Sequence, residues 1–400
     1  MRRPPLPGGP YLIVGLARSG TAAALALRAR GERVLGFDLA GRGGELADAG
    51  VELTGDPIAA LERIRCVVKS PGVPREDPAI AAAIERGIPV IGELELAWRL
   101  LANEFVAVTG TNGKTTTVEL IGAIHRAAGR EVAVAGNVGL ALSRLAAPDA
   151  ALHPAATIVC EASSFQLEDA VAFAPEAAVL LNLSPDHLDR HGDMERYVAA
   201  KLRVFAHQGT DDLAVLPAEG PAAVGAAARI TFGASAAADL RLDDGALSWR
   251  GEQLIAASEL RLRGEHNREN AMAAAAVTLA RGLPREAVIE ALGTFSGVAH
   301  RLEEVANDRG VLYVNDSKAT NVTSAIVALR AFEPATVHVI LGGRGPGQDF
   351  AALRDTVAER ARASYLIGEE GPAIGRALEG LPLVACDTLE RAVAAARAAA

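Results

Sequence analysis

Val106-Ala-Val-Thr-Gly-Thr-Asn-Gly-Lys-Thr-Thr116 decides the fold. The apolar run Phe105 to Val108 reads as a buried strand, Thr109 to Thr116 as a glycine-containing turn, and Thr117 to Ala128 as a helix. In such a turn the free backbone N–H groups and the helix N-terminus cradle phosphate oxygens, and the Lys114 ammonium supplies the counter-charge. The Thr115 hydroxyl stands where loops of this kind ligate Mg²⁺. The strict G-x-x-x-x-G-K-[ST] spacing is not met, because Val108 occupies the first glycine position. An ordinary glycine-rich turn is the competing reading. A Gly-Lys-Thr-Thr run between a buried strand and a helix is hard to reach by packing alone.

Upstream, strand and helix signals alternate. Tyr11 to Val14 is an apolar run, and Gly15-Leu-Ala-Arg-Ser-Gly20 turns into an alanine-rich helix that ends near Gly31. Arg33 to Phe37 is a second strand finishing at Asp38; Cys66 to Val68 is a third, followed by the turn Ser70-Pro71-Gly72; Pro89 to Ile91 precedes a helix from Glu93 to Leu101. The alternation predicts a mostly parallel sheet covered on both faces. Downstream, strands fit Thr157 to Cys160 and Ala178 to Leu181, with helices around 195–206 and 267–281. Gly209 to Glu259 reads as a small side sheet. A third unit begins near Val298, with strands at Val311 to Val314, Val337 to Leu341 and Ser364 to Ile367, and a terminal alanine-rich helix from Leu389.

Composition agrees. Four hundred residues suffice for two to three domains of about 150 residues each. Half of the residues are hydrophobic, yet only two Trp, four Tyr and nine Phe occur, which suits helices packed on sheets better than an aromatic-cored sandwich. The net charge of −9 and the lack of a long basic run argue against nucleic acid as a partner. Cys66, Cys160 and Cys386 are far apart and odd in number, which fits a reducing cytoplasm. Met1-Arg2-Arg3 resembles the start of a twin-arginine leader, but the apolar run that follows is short and ends at Arg18, so it is read as a strand. No stretch has the roughly 18 unbroken apolar residues of a membrane span.

Thr109-Gly-Thr-Asn-Gly-Lys-Thr115 resembles the nucleotide loop of the Mur ligases and of the related folylpolyglutamate synthetases. Further motifs narrow the resemblance to the D-glutamate-adding Mur ligases. They are Gly136-Asn137-Val-Gly139, Glu161-Ala-Ser-Ser-Phe-Gln-Leu-Glu168, Asn182-Leu-Ser-Pro-Asp-His187-Leu-Asp189, Ala200-Lys201, Gly264-Glu-His-Asn-Arg-Glu-Asn270, His300-Arg301 and Asn315-Asp-Ser-Lys-Ala-Thr-Asn321. The resemblance runs from Tyr11 to the last residues. It implies an α/β fold of three domains. Residues 1–101 would form a Rossmann-like UDP-sugar domain, 102–297 a central P-loop ATPase-like domain with the side sheet, and 298–400 a Rossmann-like C-terminal domain. It also implies ATP-dependent ligation of D-glutamate to UDP-N-acetylmuramoyl-L-alanine through an acyl phosphate, by a cytoplasmic, monomeric enzyme with no membrane span. The competing expectations are an impaired nucleotide and UDP-sugar binder, another amino-acid-adding ligase of the superfamily, and an NAD-dependent dehydrogenase that would leave Lys114, Glu161 and His187 unexplained.

The resemblance assigns roles residue by residue. Gly110, Thr111, Asn112, Gly113, Lys114, Thr115 and Thr116 would hold the ATP phosphates, Asn270 the adenine, Arg301 the nucleotide and Asp316 the ribose. Thr115 and Glu161 would ligate one Mg²⁺. His187 and Lys201, the latter carbamylated by CO₂, would ligate a second. Lys114, His187, Lys201 and Lys318 would be the catalytic groups, with Lys318 on phosphate or the incoming amino acid and Thr320 on the glutamate carboxylate. Gly15, Arg18, Ser19, Asp38, Ser70 and Gly72 would hold the uridine diphosphate, and Asn137 and Ser163 the muramoyl-alanine arm. Taken singly, most of these would read as ordinary polar residues; Lys201 alone would pass for a surface lysine.

Two departures stand out. Gly342-Gly343-Arg344-Gly345-Pro346 has Pro346 where the family has lysine, which makes Arg344 the expected substitute cation for the glutamate side chain. The chain also ends at Ala400, before a Ser-Pro-Ala-x-Ala-Ser-x-Asp-x-Phe segment of the family. The expectation is an incomplete third domain that retains the ATP and UDP-sugar sites and binds D-glutamate more weakly.

Overall fold

The structure, a computed structural model, describes residues 3–221, 225–262, 264–298, 300–344 and 348–400. It divides into two compact units, Met1–Leu260 with Glu269–Thr294, and Arg261–Arg268 with Phe295–Ala400.

The first unit opens with a five-stranded parallel sheet of β1 (Tyr11–Val14), β2 (Val34–Phe37), β3 (Glu52–Leu53), β4 (Cys66–Lys69) and β5 (Val90–Gly92), in the order β3-β2-β1-β4-β5. β1, β2 and β4 are largely apolar on both faces because both are covered, whereas the two residues of the edge strand β3 are exposed. Tyr11, Ile13, Cys66 and Val68 pack with Ala23 and Leu27 of the helix Arg18–Ala29. Leu12, Val14 and Val67 pack on the other side with Leu61, Ile80 and Ala83. Alternate residues of one strand thus enter two different cores, as the period of two dictates.

The second sheet contains β6 (Phe105–Thr109), β7 (Val132–Gly136), β8 (Thr157–Glu161), β9 (Ala177–Leu180), β10 (Leu213–Pro217), β11 (Ala228–Gly233), β12 (Leu240–Asp243), β13 (Ala246–Trp249) and β14 (Glu252–Ala256). Their order is β14-β13-β12-β11-β10-β9-β6-β8-β7. The side sheet expected between Gly209 and Glu259 is therefore not separate. β10 pairs with both β9 and β11, so the later strands extend the central sheet. Trp98, Phe105, Ile158, Phe173, Leu180 and Phe205 fill the core beneath it. The helix expected from Thr117 starts earlier, at Lys114, because Gly113 turns the chain in a left-handed conformation (φ +84°) just ahead of it.

The second unit contains an antiparallel hairpin, β15 (Glu303–Asp308) with β16 (Val311–Asn315), and a parallel sheet of β17 (Val337–Gly342), β18 (Ala361–Ile367) and β19 (Leu383–Asp387) in that order. The helix Leu389–Ala399 sets Ala392 against Tyr365 and Cys386. Among the described residues, no helix is long and apolar enough to cross a membrane.

Candidate functional site

Parallel strands carry their following loops to one edge, and in the central sheet the edge beyond β7, β8, β6 and β9 gathers the polar motifs. The loop after β6 leaves no room for a side chain at two positions. A Cβ on Gly110 (φ +148°) would meet Leu181 Cβ at 2.9 Å, and one on Gly113 would meet Asn270 Oδ1 at 2.1 Å. The same geometry places Asn270 beside the loop. Lys114 arches back so that its Nζ donates to the carbonyls of Gly110 and Thr111, both at 2.8 Å. The segment after β9 braces the loop from one side. Asn112 N–H donates to Asn182 Oδ1 at 2.9 Å, and Thr111 Oγ1 donates to the Ser184 carbonyl at 3.1 Å.

Glu161 closes β8 and is buried. One oxygen accepts from Thr115 Oγ1 at 2.8 Å and the other from Asn137 Nδ2 at 3.0 Å. Asn137 follows Gly136, where a Cβ would sit 2.3 Å from the Glu161 carbonyl oxygen, so glycine permits the close approach. Thr116 is buried in the first turn of the helix. Ser163 caps the helix Ser164–Glu168 in a reciprocal arrangement with Gln166, so its hydroxyl is engaged there.

His187 adopts a left-handed conformation (φ +52°) ahead of the short helix Leu188–His191, with Nε2 3.5 Å from Asp186 Oδ2. Lys201 is only 2% exposed; its Nζ donates to the Gly110 carbonyl at 2.7 Å and lies 4.6 Å from the centre of the Tyr197 ring. Burial, followed by the like charge of Lys114, pushes the Lys201 amine down to about 7. A series of ring contacts joins these two residues: His187 to Phe165, Phe165 to His191, His191 to Tyr197, and Tyr197 to Lys201.

In the first sheet the chain reverses direction of progress between β1 and β4, and the crevice beyond those strands is the switch point. Gly15 (φ +89°) borders it, and a Cβ there would strike Val73 Cγ2 at 2.8 Å and Ser70 Cβ at 2.9 Å. Asp38 Oδ2 accepts from Leu16 N–H at 2.7 Å and Oδ1 from Ala40 N–H at 2.9 Å. Burial alone would raise this carboxyl, but the backbone donors outweigh it and hold it below its ordinary value. Arg18 and Ser19 open the following helix, and Arg18 reaches across to donate to the Asn137 carbonyl at 2.9 Å. Gly72 is exposed in the turn after β4.

Residues 108–278 match the Mur ligase middle domain and residues 300–400 the Mur ligase glutamate ligase domain. The UDP-N-acetylmuramoylalanine–D-glutamate ligase of Acidobacterium capsulatum is 42% identical over 99% of this chain and 90% of its own length. Its counterpart in Anaeromyxobacter dehalogenans is 43% identical over 98% of this chain and 90% of its own. The chain belongs to the Mur ligase family. Among solved structures, UDP-N-acetylmuramate-alanine ligase MurC of Thermotoga maritima shares the fold, with a TM-score of 0.60 at 21% identity over 95% of this chain and 90% of that one.

The remaining motif residues of this Mur ligase lie in its second unit. Asp316 Oδ1 accepts from Leu302 N–H at 3.0 Å; burial raises its carboxyl, against the pull of that N–H and of Arg301. Lys318 donates its backbone N–H to the His300 carbonyl at 3.0 Å, which ties the hairpin end to the segment carrying Arg301. His266 faces Arg301, and burial followed by that charge pushes its imidazole down to about 4. Thr320 is exposed, its carbonyl accepting from Gln348 Nε2 at 3.0 Å. Arg344 is exposed and ion-paired with Glu369 at 3.1 Å; Pro346 lies outside the described residues.

Two participants in the first unit have no role assigned from the sequence, although Asn182 opens one of the quoted motifs. Tyr197 hydrogen-bonds Thr111 Oγ1 at 3.0 Å and underlies Lys201. The signal was its place four residues before Lys201 on one helix, which puts both on one face. Asn182 exchanges hydrogen bonds with Asn112, and its signal was a polar residue directly beyond a buried strand.

Proposed function

We propose that this Mur ligase joins D-glutamate to UDP-N-acetylmuramoyl-L-alanine at the expense of ATP, in peptidoglycan precursor synthesis. The observation that carries the reading is the alignment of D-glutamate ligases along 98–99% of the chain at 42–43% identity. Cytoplasmic, monomeric action is part of the proposal.

Mur ligases use ATP and Mg²⁺. Among the described residues no three His, Cys, Asp or Glu side chains gather into a ready-made cage. Mg²⁺ retains water and phosphate oxygens in its shell, so one hydroxyl and one buried carboxylate are a fitting protein share. Thr115 and Glu161, already 2.8 Å apart, supply them. When bound, the ion neutralises charge on the β- and γ-phosphates. A second ion would rest on His187 and on Lys201 as its carbamate. The lowered Lys201 pKa supports that reading, since only the free amine adds to CO₂, with loss of a proton.

In the proposed reaction a carboxylate oxygen of the L-alanyl group attacks the γ-phosphorus of ATP. The new O–P bond forms as the bond to the bridging oxygen breaks, and ADP leaves. The amine of D-glutamate then adds to the acyl carbon; the tetrahedral adduct expels inorganic phosphate and the nitrogen loses a proton. Thr111 and Asn112 spend their backbone N–H groups on Asn182, so the N–H groups from Gly113 to Thr116, at the start of the helix, hold the phosphates, and Lys114 moves from the carbonyls it now caps to the γ-phosphate. Asn270 contacts adenine, with Arg301 and Asp316 on the rest of the nucleotide. Gly15, Arg18, Ser19, Asp38, Ser70 and Gly72 hold the uridine diphosphate, Asn137 and Ser163 the sugar arm, Thr320 and Arg344 the D-glutamate, and Lys318 the phosphate or the incoming amino acid.

Phosphate release tests the proposal. It is expected only when ATP, UDP-N-acetylmuramoyl-L-alanine and D-glutamate are all present. Release that responds to another amino acid in place of D-glutamate would overturn it.

A further inference from the structure

The turn after β4, Ser70 to Val73, is held by two cations that the mechanism above does not use. Lys69 ends β4 and is fully buried. Its Nζ donates to the Val73 carbonyl at 2.7 Å and lies 2.7 Å from Asp169 Oδ2. Arg190 donates to the same carbonyl at 3.2 Å and to Glu168 Oε2 at 3.0 Å, while its guanidinium covers the Phe165 ring at 5.3 Å. Glu168 and Asp169 are consecutive and close the helix that begins just beyond Glu161. Arg190 itself lies three residues past His187.

One carbonyl of the turn is thus the shared acceptor of two charged donors, each with its own carboxylate on the central-sheet side. A buried ion pair is a poor way to add stability, because desolvation offsets the attraction and apolar side chains would pack as well. Charged hydrogen bonds do fix geometry, being short and directional. The geometry here matters because Val73 and Ser70 form the wall against which Gly15 packs. A shift of Val73 therefore moves the switch-point crevice relative to the His187 segment.

We propose that Lys69 and Arg190, with Asp169 and Glu168, are positioning residues that set the UDP end of the substrate against the phosphoryl-transfer edge of the central sheet. This rests on the reading of the switch-point crevice as the UDP-sugar site.

The test uses the full chain. Lys69→Met alone strands a buried acid and endangers folding, so the informative variant is K69M/D169N, which removes both charges at nearly constant size. It is expected to keep its melting temperature within a few degrees and its KM for ATP within about twofold, while KM for the UDP-sugar rises about tenfold, as loss of a charged hydrogen bond implies. Arg190→Met should act in the same direction, and the two effects should be less than additive because they share one acceptor. An unchanged KM for the UDP-sugar, or a parallel rise in KM for ATP, overturns the proposal. UDP binding by calorimetry separates it from the ligase assignment. If the unsubstituted chain releases no phosphate with D-glutamate, that assignment fails, and the clamp stands only if UDP binds and K69M/D169N weakens it about tenfold. No UDP binding, or equal affinity in both proteins, overturns the clamp.

Discussion

Lys201 has the most altered chemistry of the residues at the central edge. An ammonium buried among a carbonyl, a tyrosine face and a second lysine loses more hydration than it regains, so the fold favours the free amine at about 7 against an ordinary value of 10.5. In the unfolded chain the same amine stays protonated up to that ordinary value. Between pH 7 and 10.5 the unfolded state therefore binds more protons than the folded state, and this contribution to stability rises with pH across the window. Below about pH 7 the full penalty applies. The difference in unfolding free energy between the native chain and Lys201→Met, measured with urea in CO₂-free buffer, is expected to shift in favour of the native chain as pH goes from 7 to 9.5. A difference that stays flat would refute the depressed amine. None of this was legible locally, since Lys201 sits on an amphipathic helix with Arg196 and Arg203 nearby. The carbonyl that its buried Nζ meets belongs to Gly110, 91 positions away.

At the scale of elements, the loop between β6 and the helix Lys114–Ala127 is decided by two glycines. Gly113→Ala places a side chain in left-handed backbone and drives its Cβ into Asn270 Oδ1, 2.1 Å away. The backbone alone costs about 1–2 kcal/mol, and the loop must also move away from Asn270. Thermal unfolding should show that loss together with a raised KM for ATP; an alanine variant with native KM and stability would mean that the loop tolerates the change. β1, β2, β4, β6, β8 and β9 were legible because they are apolar and bounded by glycine or polar residues, whereas β7 and β19 gave no strand signal that was read. β3 was not, being two exposed residues, Glu52 and Leu53, paired beside β2. Nor was β15, whose Glu303 to Asp308 carries three acids and gains strand form only by pairing with β16. The five strands after β9 are individually short, and only their pairing extends the central sheet.

Across the whole molecule, residues near the start of the chain reach the junction between the first two sheets. The Arg3 guanidinium donates to the carbonyls of Trp98, Leu101 and Asn103, pairs with Glu176 at 3.2 Å, and lies 5.1 Å and 5.2 Å from the ring centres of Trp98 and Phe105. Arg3→Ala is expected to destabilise the first unit by about 2–4 kcal/mol, the scale of lost charged hydrogen bonds and ring contacts. Urea unfolding followed by the fluorescence of Trp98 and Trp249, both in the first unit, measures it, and an unchanged midpoint would show that Arg3 adds nothing at this junction. The sequence by itself determined the α/β class, the phosphate loop with Lys114 and Thr115, and the family, because a buried strand, a glycine turn and a helix start are set by neighbouring residues. Tertiary structure alone decided that Thr115 and Asn137 meet on Glu161, that Lys201 is a buried amine under Gly110, and that Lys69 and Arg190 converge on one carbonyl. Those meetings depend on strand order and on burial that removes water from the charges. Neither is encoded in the few residues on either side of each group.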